Sequence, residues 1–279
     1  MISITEKTVK RFEQYLYEEE KSGNTIEKYM RDVRFFREWL GGKNVDKSVV
    51  LLYKKELIKH YAPKSVNSML SSINAFFGFL GRNDLKVKTL KIQKEIFASK
   101  SKELTKAEYE RLLCEAQKRK NQRLYLLLQT ICSTGIRVSE LKFITKEAVD
   151  EKRAIINCKG KLRQVFLPKR LCKALMSYIK SNKIKKGPVF VTKNGNPLDR
   201  SNVWKMLKKL CDSANVMKEK VFPHNLRHLF ARTFYSVQKD IVRLADILGH
   251  SSINTTRIYT KETGEIHCLQ LQKLGLLMC

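Results

Sequence analysis

The chain has 279 residues, 43% of them hydrophobic, and carries 56 Lys+Arg against 27 Asp+Glu, a formal net charge of +29. This is globular rather than disordered composition, and a charge far beyond what solubility needs points to a polyanionic partner, nucleic acid or an anionic membrane. No run approaches the ~18–20 apolar residues that span a bilayer, Met1 to Lys10 lacks the apolar core of a signal peptide, and the seven cysteines (114, 132, 158, 172, 211, 268 and 279) form no CxxC pair. Neither a disulfide framework nor a thiolate zinc site is indicated, so reduced thiols in a cytoplasmic protein are expected.

The first eighty residues read as four helices. Val9, Phe12 and Leu16 fall three and four apart. After Ser22-Gly23, Asn24 and Glu27 have capping-box spacing, and Ile26, Tyr29, Met30, Val33, Phe36 and Leu40 follow at helical period until Gly41-Gly42 stops the run. A third helix is expected after Asp46. A fourth starts at Pro63, a good first-turn residue, and sets Val66, Met69, Leu70, Ile73, Phe76, Phe77 and Leu80 on one face. From Gly81 to Lys102 the pattern lapses, and seven Lys/Arg face only Asp84 and Glu95. That stretch reads as a basic extended linker, with a solvated loop as the plainer alternative.

Thr105 and Glu108 form a second capping-box signal before Tyr109, Leu112 and Leu113, and open a second domain. Leu124 to Cys132 is an apolar helix ending near Gly135. Residues 153–158 and 163–167 read as strands joined by a Lys159-Gly160-Lys161 turn. Helices are expected at about 169–182, 202–214, 225–236 and 240–248, and Val189 to Thr192 as a short strand closed by the Asn194-Gly195-Asn196-Pro197 turn. The division is therefore 1–81, a linker 82–102, and 103–279. Residues 1–99 hold 19 Lys+Arg and 12 Asp+Glu, and the remainder 37 and 15. Two basic lobes on a basic tether suit a clamp around a polyanion. A membrane-surface protein would concentrate its charge on one amphipathic helix, whereas these helical faces are mixed in sign.

Four stretches of the second domain offer phosphate chemistry. In Thr134-Gly-Ile-Arg-Val-Ser-Glu-Leu141, Gly135 ends one helix and Arg137 opens the next segment, where a guanidinium and exposed N–H groups together suit a phosphate. An Arg137–Glu140 pair across one turn is the plainer reading. Lys159 and Lys161 sit on the hairpin turn, where an ammonium can give a proton to a reacting oxygen, although charged turns are normally just solvated. In Pro223-His-Asn-Leu-Arg-His228, His224 and Arg227 share a helical face and combine proton transfer with phosphate neutralisation. His224 and His228 also have the spacing of a zinc pair, but no intervening acid and no recognisable third ligand, so no metal is expected. In Leu248-Gly-His-Ser-Ser-Ile-Asn-Thr-Thr-Arg-Ile-Tyr259, His250 closes a helix and Tyr259 follows nine residues later.

Taken together and in this order, these stretches resemble the tyrosine recombinase (phage integrase) family, and the short build is most similar to its Xer-like members. The resemblance implies a mainly α fold with a small β insert. It pairs an N-terminal four-helix SAM-like core-binding domain with a C-terminal α+β catalytic domain, as a C-shaped DNA clamp. It implies that Tyr259 is the nucleophile, that Arg137 and Arg227 clamp the non-bridging oxygens, that His224 shares in proton transfer, and that His250 hydrogen-bonds the phosphate. A hairpin lysine would protonate the leaving 5′ oxygen. The family's turn is usually of Gly-Lys-Gly-x-Lys-x-Arg type, and Cys158-Lys-Gly-Lys-Leu-Arg163 is one residue shorter; Lys159 matches best and Lys161 stays open.

The implied activity is site-specific DNA cleavage and rejoining through a 3′-phosphotyrosyl intermediate, with no metal, ATP or other cofactor. Two guanidiniums and an imidazole would offset the repulsion that protects a phosphodiester, and a covalent ester would conserve the bond energy. The implied partners are double-stranded DNA with an inverted-repeat site, three further copies of the chain in a homotetramer on two DNA sites, and accessory DNA-bending proteins. No membrane partner is expected. Residues 263–279, with Ile266, Leu269, Leu271, Leu274, Leu276 and Leu277, form an apolar tail expected to pack on a neighbouring subunit, or else on its own domain. The rival readings are a non-catalytic DNA-binding protein of the same fold, a type IB topoisomerase-like relaxing enzyme, and a metal-dependent nuclease.

Overall fold

A computed structural model describes residues 2–92, 103–158, 161–259 and 272, the side chains of Cys158 and Lys161 excepted. The chain forms two compact units, Met1–Lys94 and Glu95–Cys279. The apolar tail and Lys159 lie outside the described residues.

The first unit is built from α1 (Glu6–Glu18), α2 (Gly23–Leu40), α3 (Lys47–His60) and α4 (Pro63–Phe79). Thr5 and Asp46 cap α1 and α3 by accepting from the backbone N–H of Thr8 and Val49. The expected box between Asn24 and Glu27 does not form. Helix α2 starts two residues earlier, with Ser22 as N-cap and its Oγ 2.8 Å from Thr25 Oγ1. Two neighbouring cap formers compete there, and the earlier one lets the Ser22 carbonyl accept from Thr25 and Ile26. The aromatic stripe is core: Phe12, Phe36, Phe76 and Phe77 are fully buried, and the Phe12 and Phe76 rings meet edge-on at 5.1 Å.

Part of the expected linker belongs to this unit. Leu85 and Val87 are buried in the N-terminal core. Asn74 exchanges two hydrogen bonds with the Val87 backbone, and Asn67 does the same with Leu90. These asparagines lie two turns apart on α4 and imitate a strand partner for the extended segment. Lys47 and Lys54 add bonds to the carbonyls of Asp84, Lys86 and Lys88. The basic residues of 82–92 thus ride on an anchored segment, which a charge pattern alone does not reveal.

The second unit holds α5 (Lys106–Lys118), α6 (Gln122–Thr134), α7 (Lys146–Asp150), strands β1 (Arg153–Cys158) and β2 (Lys161–Phe166), α8 (Lys169–Ser181), α9 (Arg200–Cys211), α10 (Pro223–Gln238), α11 (Ile241–Leu248) and α12 (Ile253–Thr256). The Thr105–Glu108 capping box closes in both directions. Helix α6 is apolar nearly all round and central, with Leu124, Leu126, Leu127, Leu128 and Ile131 buried. Strands β1 and β2 form a two-stranded antiparallel sheet in which Cys158 pairs with Lys161 and Ile156 with Arg163. Lys161 therefore belongs to the ladder. The strand expected at Val189–Thr192 is reduced to isolated bridges, Thr145 to Pro188 and Val191 to Pro197. Both bridges involve proline, which cannot donate to a ladder, and the segment instead inserts Val189 and Phe190 into the core.

Candidate active site

Gly135 ends α6 in the left-handed region at φ +64, and a Cβ there would stand 2.4 Å from Phe230 of α10. The glycine lets α6 and α10 approach and turns the chain so that Arg137 opens the short 3-10 segment Val138–Phe143. The Arg137 backbone N–H donates to Glu140 Oε2 at 2.7 Å, and its Nη1 to Glu140 Oε1 at 2.9 Å. The simple Arg137–Glu140 pair therefore exists, and it orients the guanidinium rather than replacing a role at the site. Glu140 is 1% exposed and also accepts from Arg163 Nη2 at 2.5 Å. Burial pushes the Glu140 pKa up, but the Arg137 N–H and the Arg163 and Arg137 guanidiniums outweigh it, so the carboxyl lies below its ordinary value.

Helix α10 begins at Pro223 and supplies two of the candidates, His224 and Arg227, within one turn. Arg227 is buried, and its Nη1 donates to the Gly135 carbonyl. Its Nη2 donates to the Leu248 carbonyl at 2.7 Å and lies 3.1 Å from His250 Nε2. Burial, and then the charge of Arg137, lower its pKa to about 10. His224 on the same helix is solvent-exposed; partial desolvation first, then Arg227, Arg137 and Arg200, hold it below the usual histidine range. His228, one turn on, is lowered to about 4 by burial, His224 and Arg227. Its Nε2 has no hydrogen-bond partner among the described residues.

Helix α11 ends in Gly249 at φ +63, which turns the chain back to present His250. His250 Nδ1 lies 2.9 Å from Thr256 Oγ1 of α12. Burial and then the cationic surroundings of Arg227, Arg137 and Arg163 lower the His250 pKa to about 4. Tyr259 closes the set. Its ring is 4% exposed, edge-on to His228 at 4.7 Å and stacked over His250 at 5.9 Å and 17°. Ala231, Leu244 and Leu248 form the apolar floor beneath it.

Five of the six expected residues thus converge: Arg137, His224, Arg227, His250 and Tyr259 come from four separate segments. The sixth, Lys159, lies outside the described residues, beside the strands that bring Arg163 to the same place. The cluster has three guanidiniums, one buried carboxylate and three histidines with depressed pKa values. Such a cluster is cationic through its guanidiniums while its histidines stay neutral, which suits a phosphodiester anion. Among the described residues no group of three or more His, Cys, Asp or Glu could hold a metal ion.

The comparison with known proteins agrees with this geometry. A family model described as the phage integrase family matches residues 102–265, and one described as the phage integrase N-terminal SAM-like domain matches 9–84. The chain is 35% identical over 273 residues to the tyrosine recombinase XerA of Thermococcus kodakarensis, which covers 95% of this chain and 94% of that protein. The chain belongs to the phage integrase family of tyrosine recombinases. Another recombinase relative is the tyrosine recombinase XerD of Halalkalibacterium halodurans, 32% identical over 87% of this chain and 88% of that one. A crystal structure of XerA recombinase matches over 99% of this chain and 100% of that one, at 25% identity and a TM-score of 0.52. A lambda integrase dimer bound to a COC′ core site shares the fold at a TM-score of 0.76 and 16% identity, over 94% of this chain and 97% of that one.

Two residues at this recombinase's site escaped the sequence reading. The sequence pattern marks Arg163 only as the start of a strand, although it closes the same lysine-rich motif. The spacing of His228 suggests only half of a metal pair, whereas the structure packs it against Tyr259. Its position one turn after His224 was the available signal.

Proposed function

We propose that this chain is a site-specific DNA recombinase that cuts and rejoins duplex DNA through a 3′-phosphotyrosyl ester on Tyr259, using neither metal nor ATP. The observation that carries the reading is the meeting of Tyr259 with Arg227, His250 and Arg137 in one cationic cluster. In the first step the Tyr259 oxygen attacks phosphorus, the bond to the 5′ oxygen breaks, and that oxygen takes a proton from a hairpin lysine. Arg137 and Arg227 neutralise charge as it builds on the non-bridging oxygens, and His224 shares in moving the tyrosine proton. Attack by a 5′ hydroxyl of the second duplex reverses the chemistry and releases Tyr259. Lys159 is the proposed acid, and Lys159→Ala should slow cleavage far more than Lys161→Ala.

The proposed substrate is an inverted-repeat site, bound as a homotetramer on two duplexes in the cytoplasm, with DNA-bending proteins as accessory partners. The two basic units would grip the duplex, and the apolar tail 263–279 would join neighbouring subunits. Integration, excision, inversion, transposition and dimer resolution all use this chemistry, and membership of a mobile element is part of the same proposal.

The test uses duplexes from the DNA flanking the gene, nicked beside each candidate cleavage point so that the cut end diffuses away. Wild type should accumulate a covalent protein–DNA adduct in excess chelator, and Tyr259→Phe none. Equal adduct in both, or activity abolished by chelator, would overturn the reading. Relaxation of plasmids without exchange between two sites would favour a topoisomerase-like activity instead.

A further inference from the structure

Arg163 has no part in the proposed reaction, yet its side chain is tightly held on the inner face of the hairpin. Side chains alternate along β2, so Leu162 and Phe166 face outward, 71% and 72% exposed, while Val165 is buried. Arg163 shares the inward face with Val165, and its side chain is only 14% exposed. Its Nη2 donates to Glu140 Oε2 and its Nη1 to the carbonyl of Ile247 near the end of α11. A third element receives the side chain by shape. A Cβ on Gly249 would lie 2.5 Å from Arg163 Cδ, so the turn that presents His250 is also the seat of this arginine.

The consequences run through Glu140. That one buried carboxylate holds Arg163 on Oε2 and Arg137 on both oxygens. Arg137 keeps its own two bonds to Glu140 if Arg163 is removed, so the phosphate clamp has its own anchor and Arg163 is the tie that holds the hairpin to it. The ladder carries the same constraint the other way: Arg163 pairs with Ile156 and lies two residues from Lys161 and four from Lys159 in the chain. Buried Arg163 Nε has no hydrogen-bond partner among the described residues. The guanidinium gives up that bond to span two elements, a geometry that a lysine ammonium has no second arm to reproduce.

We propose that Arg163 is a positioning residue that locks the lysine-bearing hairpin to the Arg137 segment and the His250 turn, so that the leaving-group proton is delivered in register with the phosphate clamp. This rests on the reading of the site given above. A misplacement of about 1 Å at a reacting group costs on the order of 10²-fold in rate, so the loss should fall on the proton-transfer step.

The experiment compares nicked duplexes with a 5′ oxygen or a 5′ sulfur at the scissile position. A thiolate leaves without a proton, so cleavage of the sulfur substrate does not need the hairpin acid. Arg163→Ala and Arg163→Lys should each slow cleavage of the oxygen substrate on the order of 10–100-fold. Both should cleave the sulfur substrate within a few-fold of wild type. The two substrates are read on one preparation, so loss of folded protein cancels in the ratio. If Arg163→Ala does not fold, Arg163→Lys, which keeps the charge and loses the fork, gives the same reading. Equal slowing on both substrates, or no slowing on either, overturns the proposal. Failure of wild type to form a Tyr259-dependent adduct on the oxygen substrate would instead overturn the recombinase reading itself.

Discussion

Arg227 Nη2 and His250 Nε2 stand 3.1 Å apart, and this contact fixes the state of the histidine. A guanidinium only donates, so Nε2 accepts and the ring proton belongs on Nδ1, where it donates to Thr256 Oγ1 at 2.9 Å. His250 is thus neutral, oriented from both sides, and it aims Arg227. The Thr256 hydroxyl is fully buried, so Thr256→Val would leave the Nδ1 proton without an acceptor. The expected cost is about 1–3 kcal/mol in urea unfolding, with cleavage slowed roughly tenfold as Arg227 loses its alignment. Thr256→Ser should restore both, and wild-type behaviour of Thr256→Val would remove the proposed link.

The two arginines at the site should respond differently to truncation. The Arg137 side chain is 40% exposed and tied to Glu140, whereas Arg227 is 1% exposed and bonded to two backbone carbonyls of separate elements. Arg137→Ala should therefore keep the fold and DNA affinity while losing cleavage by at least ~10²-fold. Arg227→Ala should lose cleavage and also about 2–5 kcal/mol of stability, because it strands buried carbonyls and opens a cavity. Thermal unfolding and filter binding on the two variants separate these outcomes.

Three glycines with similar left-handed φ values form a graded test of packing against backbone strain. Gly41 at φ +56 has nothing within 4 Å of an added Cβ, while Gly135 and Gly249 would meet Phe230 and Arg163. Gly41→Ala should cost about 1–2 kcal/mol, the strain of the left-handed region alone. Gly135→Ala should cost clearly more, and Gly249→Ala should add a loss of cleavage through Arg163. Equal urea midpoint shifts for Gly41→Ala and Gly135→Ala would contradict the close contact of α6 and α10.

Acid should destabilise the protein through its histidines before its carboxylates. His228 and His250 are lowered to about 4 by burial and neighbouring cations, and His224 is lowered in the same direction. Between the ordinary histidine value near 6.5 and about 4, the unfolded chain binds more protons than the folded one, so stability falls as pH falls. Above pH ~7 both states hold these rings neutral and the dependence vanishes. The melting temperature should therefore be level from pH 8 to 7 and drop from 6.5 to 5, with a shallower drop in His228→Asn. A melting temperature that rises toward pH 5 would contradict the partly desolvated, neutral histidines.

Much of this architecture was legible in the order of short motifs, because helix caps, glycine turns and phosphate-binding side chains are local requirements. The Thr105–Glu108 box, the Gly135 turn before Arg137 and the Pro223 start of α10 are of this kind. What depended on partners distant in sequence was not legible. Asn67 and Asn74 anchor residues 87–90, which pattern alone assigns to a linker. Pro188 and Pro197 reduce an apolar stretch to isolated bridges. Arg163 acquires its meaning only when Glu140 and the end of α11 fold onto the hairpin.

The central claim concerns one oxygen atom, and mass spectrometry of the trapped adduct addresses it directly. Protease and nuclease digestion of the wild-type complex should leave a single nucleotidyl-peptide, with the nucleotide esterified through its 3′ phosphate to Tyr259. A nucleotide attached to any other residue, or through a 5′ phosphate, would contradict the mechanism built on this site.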